Sequence, residues 1–143
     1  MQKQCVLCKY YLVETDFVYS YHTNSKFSIK SNVYCDTMNV IYIINDKVCK
    51  LSSVGYTMDK MKVRFPNHKS HIKYNKRLCE VSKHFADNLV LHDLDKSSQS
   101  SYNKSLCNQI EVMIIEKLIF LWCRHWHRKH QKEIKGKRMV LAK

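Results

Sequence analysis

"NVIYIINDKVCKLSSVGYT", residues 39–57, decides the fold. Its two runs, NVIYII and KLSSVGY, are rich in β-branched and aromatic residues and are separated by the polar NDK, which predicts two strands joined as a hairpin. The first run carries Tyr42 and the second a Val54–Gly55 step. Downstream, "TMDKMKVRFPNHKSHIKYNK" (57–76) predicts a helix opened by Thr57 as N-cap with Asp59 in its first turn. On a 3.6-residue period Arg64, His68 and His71 share one face of that helix. A short helix is expected at 77–87, strands at "NLVLHDL" (88–94) and "IEVMII" (110–115), and a final helix over 116–137 with a basic C-terminal half. The tract "DKSSQSSYNKS" (95–105) reads as a loop. These elements give an α+β class: a small central antiparallel sheet flanked by helices. Glycine occurs only at positions 55 and 136 and proline only at 66, so linkers are not advertised, and no internal repeat is visible.

The 143 residues suit about one domain with its own core. A Cys-containing extension (1–36) is expected to precede the main unit (37–143). Lys and Arg number 25 against 12 Asp and Glu, a formal charge of +13 that suits a polyanion, with DNA the leading partner. A membrane partner is disfavoured, because the apolar run "IEVMIIEKLIFLWC" contains Glu111, Glu116 and Lys117. The polar "MQKQCVLCKYY" does not read as a signal peptide. From Arg124 to Lys143 eight Lys/Arg residues face Glu133 alone, and Arg124, Arg128, Lys129 and Lys132 are candidate phosphate contacts. "KGKR" fits a nuclear address, and a nuclear location is expected. Trp122 and Trp126, four residues apart behind Leu118 and Ile119, read as a core stripe.

Seven cysteines in a chain read as intracellular favour thiols or metal over disulfides. Cys5 and Cys8 have the C-x2-C spacing of a zinc knuckle, and Cys35 and Cys49 flank the first strand of the hairpin. Together the four form a candidate structural Zn²⁺ site of S4 type, with His22 an alternative fourth ligand. Cys79, Cys107 and Cys123 read as core fillers or incidental thiols, outside any metal site.

Residues 35–85, "CDTMNVIYIINDKVCKLSSVGYTMDKMKVRFPNHKSHIKYNKRLCEVSKHF", resemble the GIY-YIG endonuclease domain of Penelope-like retroelements. The family pattern runs roughly C-N-x-x-N-V-I-Y-L-I-x-C-x-x-C-x-x-Q-Y-V-G-x-T, then R-F-x-N-H-K-S-x-I and x-V-A-x-H-F. The dense match covers about a third of the chain. The resemblance implies metal-dependent DNA cleavage with Mg²⁺ or Mn²⁺ and no small-molecule cofactor. It makes Tyr42, Gly55, Arg64 and His68 the catalytic-site residues: the tyrosine against the attacking water, the arginine on the scissile phosphate, the histidine one turn beyond. Arginine clamps phosphate bidentately, and tyrosine and histidine can relay protons.

Four positions depart from the family. Ser53 stands in place of the second tyrosine, and Tyr56 lies on the opposite face of the strand by alternation. Asp46 stands where the hairpin's first cysteine would be. Pro66 is expected to kink the helix between Arg64 and His68, at roughly 3 kcal/mol. In the final helix "CRHW" puts Cys123 at the metal-holding glutamate, and Glu116 is the nearest carboxylate in sequence. The resemblance thus implies an endonuclease with weakened or lost activity. The alternative is a non-catalytic, zinc-ordered module that binds nucleic acid through its basic surface.

Overall fold

The computed structural model describes residues 5–13, 15–19, 21, 26–29 and 33–117. The predicted hairpin is present: β3 (Val40–Asp46) pairs antiparallel with β4 (Leu51–Thr57), and Tyr42 lies directly opposite Gly55. The third strand, β5 (Ile110–Lys117), pairs antiparallel with the other edge of β3 through a register shift between Ile41 and Tyr42, giving the order β4-β3-β5. A central strand covered on both faces needs apolar side chains on both, and β3 is buried along its whole length. Val40, Tyr42 and Ile44 point to one face and Ile41 and Ile43 to the other.

The first face is roofed by three helices: α1 (Met61–Lys73), α2 (Glu80–Asp87) and α3 (Gln99–Cys107). They contribute Met61, Phe65, Ile72, Val81, Phe85, Tyr102 and Leu106 to one core. A short π-helical turn at Leu7–Tyr11 adds Leu7 and Tyr11 to that core, and Cys35 joins them. The second face packs Met113 and Ile115 of β5 with Val18, which lies in a two-stranded ribbon of β1 (Phe17–Tyr19) and β2 (Lys26–Ser28). The domain is therefore α+β, with a three-stranded antiparallel sheet, helices on one face and an N-terminal cysteine cluster.

Several expectations are corrected. Thr57 ends β4, and α1 starts four residues later behind Lys60. Pro66 lies inside a continuous α1, as its sixth residue and on its exposed side. The carbonyl that loses its intrahelical partner belongs to Lys62, an exposed residue. The helix stops in a Schellman arrangement, with Asn75 left-handed at φ 55° and Lys76 N–H donating to the His71 carbonyl over 2.8 Å. Residues 88–94 are an irregular turn rather than a strand. The serine-rich tract read as loop contains α3, capped by Ser98, whose Oγ accepts from the Ser101 N–H at 3.1 Å. Glu116 and Lys117 belong to β5 rather than to a helix. The rest of the expected final helix, with Trp122, Cys123, Trp126 and the basic tail, lies outside the described residues, as does His22.

Candidate functional site

Strand alternation puts Tyr42, Ile44, Ser53 and Gly55 on the helix-covered face, where α1 and the start of α2 leave an open cleft of about 240 Å³. Arg64, His68, Cys79 and Glu80 supply the rest of its polar lining, with Val54, Tyr56 and Val81 at its walls. Tyr42 Oη lies 2.8 Å from His68 Nε2, and the Arg64 guanidinium stands beside the same hydroxyl. The glycine opposite is required by that tyrosine: a Cβ at position 55 would sit 2.6 Å from Tyr42 Oη and 2.7 Å from Cζ. All four residues expected at the catalytic site are thus brought together. Arg64 and His68 share the cleft despite Pro66, while His71 is not in its lining. Tyr56 and Val54 pack against the core of the opposite face, as alternation requires, and also border the cleft.

Burial sets the protonation of this group. His68 is pushed down to about 3 by desolvation first, then by the charges of Arg64 and His71, so it is a neutral imidazole. Burial raises the Tyr42 phenol, and Arg64 opposes that rise only partly. The Tyr42 O–H therefore donates to Nε2, which leaves the His68 Nδ1–H facing Cys79 Sγ at 3.5 Å. Cys79 thus packs against the core as expected and also lines the cleft; it caps α2, where its backbone N–H donates to Ser82 Oγ at 3.2 Å. Glu80 supplies a carboxylate to the cleft lining, a residue that reading the family pattern for its glutamate does not reach, because it precedes the expected position by some forty residues.

The cysteines divide differently from the expected four-thiol set. Cys5, Cys8 and Cys35 do come together, each offering a sulfur within 4.8 Å of the others. Burial opposes ionisation of Cys5, yet the backbone N–H of Cys8 and the Cys8 and Cys35 thiols outweigh it. Its pKa falls while those of Cys8 and Cys35 rise, burial being the largest cause of both rises. Of the three, Cys5 is therefore the thiol that ionises most readily. Cys49 is not a member.

Cys49 instead joins Asp46, His84 and His92, four ligand-type side chains within 4.8 Å of one another. The hairpin turn builds half of this group. Asp46 Oδ1 accepts from the Val48 and Cys49 N–H groups at 2.9 and 3.0 Å, a side-chain turn that leaves Oδ2 pointing inward. Oδ2 lies 2.8 Å from both His84 Nε2 and His92 Nε2, those two nitrogens are 3.2 Å apart, and Cys49 Sγ is 3.4 Å from His92 Nε2. Tetrahedral ligands at zinc distances stand roughly 3.3–3.8 Å apart, so the set needs only slight opening to hold an ion. On its outer side His92 Nδ1 donates to Gln109 Oε1 at 2.6 Å, which orients the ring as metal-bound histidines are oriented. Both imidazoles and the carboxylate are buried.

Without an ion the group is an ionic cluster. Desolvation raises Asp46, but hydrogen bonds from His84, His92 and the Cys49 N–H together hold it well below the usual carboxylate range. His92 is raised, its bonds to Asp46 and Gln109 outweighing desolvation. In sequence the signal was the D-x2-C of the hairpin followed by two histidines eight apart, with His92 concealed in a stretch read as a strand.

Arg64 is the one expected nucleic-acid contact among the described residues; Arg124, Arg128, Lys129 and Lys132 lie outside them. No helix among the described residues is long and apolar enough to cross a membrane. No family model matches the chain, and no curated protein or solved structure matches it either.

Proposed function

We propose that this chain is a retroelement-derived DNA endonuclease domain of the GIY-YIG type, ordered by zinc and reduced in hydrolytic activity. The observation that carries the reading is the 2.8 Å Tyr42–His68 hydrogen bond, with Arg64 at the same hydroxyl and Gly55 opposite it in an open cleft. A phosphodiester entering the cleft meets a guanidinium, a phenol and a neutral imidazole. Its negative charge offsets Arg64, which raises the proton affinity of His68 and lets the imidazole draw the Tyr42 proton as the phenol activates water.

Mg²⁺ and Mn²⁺ are hard ions that bind through one or two carboxylates and retained waters, and Glu80 meets that minimum. A bound divalent ion would stabilise charge on the leaving oxygen. The low activity follows from two features: Cys123 stands where the resemblance places the metal-holding glutamate, and the resting Tyr42–His68 pair is tuned against proton transfer, with the phenol raised and the imidazole lowered.

Zinc is the proposed ion of both ligand groups, since Cys, His and Asp in closed, half-buried sets suit it. The Asp46 centre ties the hairpin turn to α2 and to the segment after it. That holds the N-terminus of α2, with Cys79 and Glu80, against the cleft. The alternative, a zinc-ordered binding module without catalysis, is favoured by the same protonation mismatch. Supercoiled plasmid incubated with Mg²⁺ or Mn²⁺ tests the proposal, with EDTA, Arg64→Ala and Glu80→Gln as controls. Nicking abolished by all three supports the nuclease; salt-sensitive binding without nicking supports the binding module.

A further inference from the structure

A second cluster of cations lies on α1, turned about 100° round the helix from His68. Lys69 and Lys73, one turn apart, line a recess of about 200 Å³ between α1 and α3 with Ser70, Gln99 and Tyr102. Lys69 is only 7% exposed. Its Nζ stands 5.8 Å from the Tyr11 ring centroid, and among the described residues it has neither a carboxylate within salt-bridge distance nor a hydrogen-bond acceptor. Lys73 Nζ stands 5.6 Å from the Tyr102 ring and 5.7 Å from the Tyr74 ring. The Tyr102 hydroxyl is committed to the Lys69 carbonyl at 2.5 Å and offers no negative charge. No acidic residue lines the recess.

A buried ammonium without an anionic partner is costly, and two within one recess repel. Burial, and then Lys73, lower the pKa of Lys69, which a bound anion would reverse. Gln99 is the first residue of α3, so the positive end of that helix reaches the same recess. The Ser70 hydroxyl and the Gln99 amide add neutral donors.

We infer that this recess is a phosphate-binding site, separate from the Tyr42 cleft, in which Lys69 and Lys73 supply the charge and Ser70 and Gln99 complete the hydrogen bonding. The phosphate comes either from a nucleic-acid backbone or from a small phosphorylated molecule, and the two sources separate experimentally. The inference does not depend on the nuclease reading.

Thermal unfolding of the full chain is followed against inorganic phosphate, with sodium chloride at matched ionic strength. Binding of a labelled DNA duplex is followed by fluorescence anisotropy. Phosphate should raise the Tm saturably where chloride does not. Lys69→Met, which keeps the volume and removes the charge, should weaken phosphate binding roughly tenfold to a hundredfold and, without phosphate, raise the Tm. Lys73→Gln should weaken it less. A Lys69→Met loss seen with the duplex but not with inorganic phosphate identifies a backbone phosphate; a loss seen with phosphate alone identifies a small molecule. The loss caused by Lys69→Met should be the same in an Arg64→Ala background, where any phosphate held by the cleft is already gone, so failure of the cleft reading does not carry this site with it. Equal response of the wild type, Lys69→Met and Lys73→Gln to both probes overturns the inference and makes Lys69 a packing stem.

Discussion

Gly55→Ala asks whether the Tyr42 cleft is built as described. A new Cβ would stand 2.6 Å from Tyr42 Oη, 2.7 Å from Cζ and 3.2 Å from Cε1. Ordinary carbon contacts need about 3.5–4.0 Å, so the ring must shift by roughly 1 Å. It has little room, because Tyr42 is buried in the central strand and its hydroxyl is held by His68 at 2.8 Å. Overpacking of this kind costs about 1–3 kcal/mol, and breaking the buried hydrogen bond adds about 1, for a loss of roughly 2–4 kcal/mol. Urea unfolding at fixed zinc concentration measures it. The same substitution in a Tyr42→Leu background, where the ring is gone, should cost under about 0.5 kcal/mol, because the two residues interact only through that contact. Tyr42→Phe is a poorer control, since Cζ remains. A Gly55→Ala cost that is the same in both backgrounds would refute the claim that Tyr42 dictates the glycine.

The other predictions address metal, pH and charge. The purified chain should carry about two zinc ions by elemental analysis, with Cys8→Ser removing one and His84→Asn the other, and a strong chelator should lower the Tm by removing both; loss of both in either variant would mean that the two groups are not independent. His68 protonates near pH 6.5 when unfolded but only near 3 when folded, so the unfolded state binds the extra proton and stability should fall as pH drops from 6.5 toward 3, by about 1.4 kcal/mol per unit. His68→Gln lacks that term, so the wild-type minus variant stability should decline by about 2 kcal/mol between pH 6.5 and 5. Neutralising Arg124, Arg128, Lys129 and Lys132 should flatten the log–log salt dependence of duplex binding by about 0.9 per lost phosphate contact.

What the sequence disclosed depended on how local each signal was. The hairpin and α1 were legible because periodicity and turn chemistry lie within a few residues of each other, whereas grouping Tyr42, Gly55, Arg64 and His68 as a site came from the family resemblance of that stretch. Pro66 misled because its cost depends on where the freed carbonyl faces, which is a tertiary fact. α3 was hidden by serines, whose helix-opening role at Ser98 looks the same in sequence as their use in loops. The metal groups illustrate the same limit: C-x2-C is visible by spacing, but assigning Cys49 to Asp46, His84 and His92 required knowing that α2 packs beside the hairpin turn. Glu80 and Lys69 gained significance only from what surrounds them.

The central claim, that the Tyr42 cleft acts on DNA phosphodiesters, is tested most directly by nicking of supercoiled plasmid with Mn²⁺ across wild type, Arg64→Ala and Glu80→Gln. The wild type should nick slowly and EDTA-sensitively, and both substitutions should abolish the nicking. Nicking that persists at full rate in Arg64→Ala, or its absence together with DNA binding unaffected by Arg64→Ala, would contradict the claim.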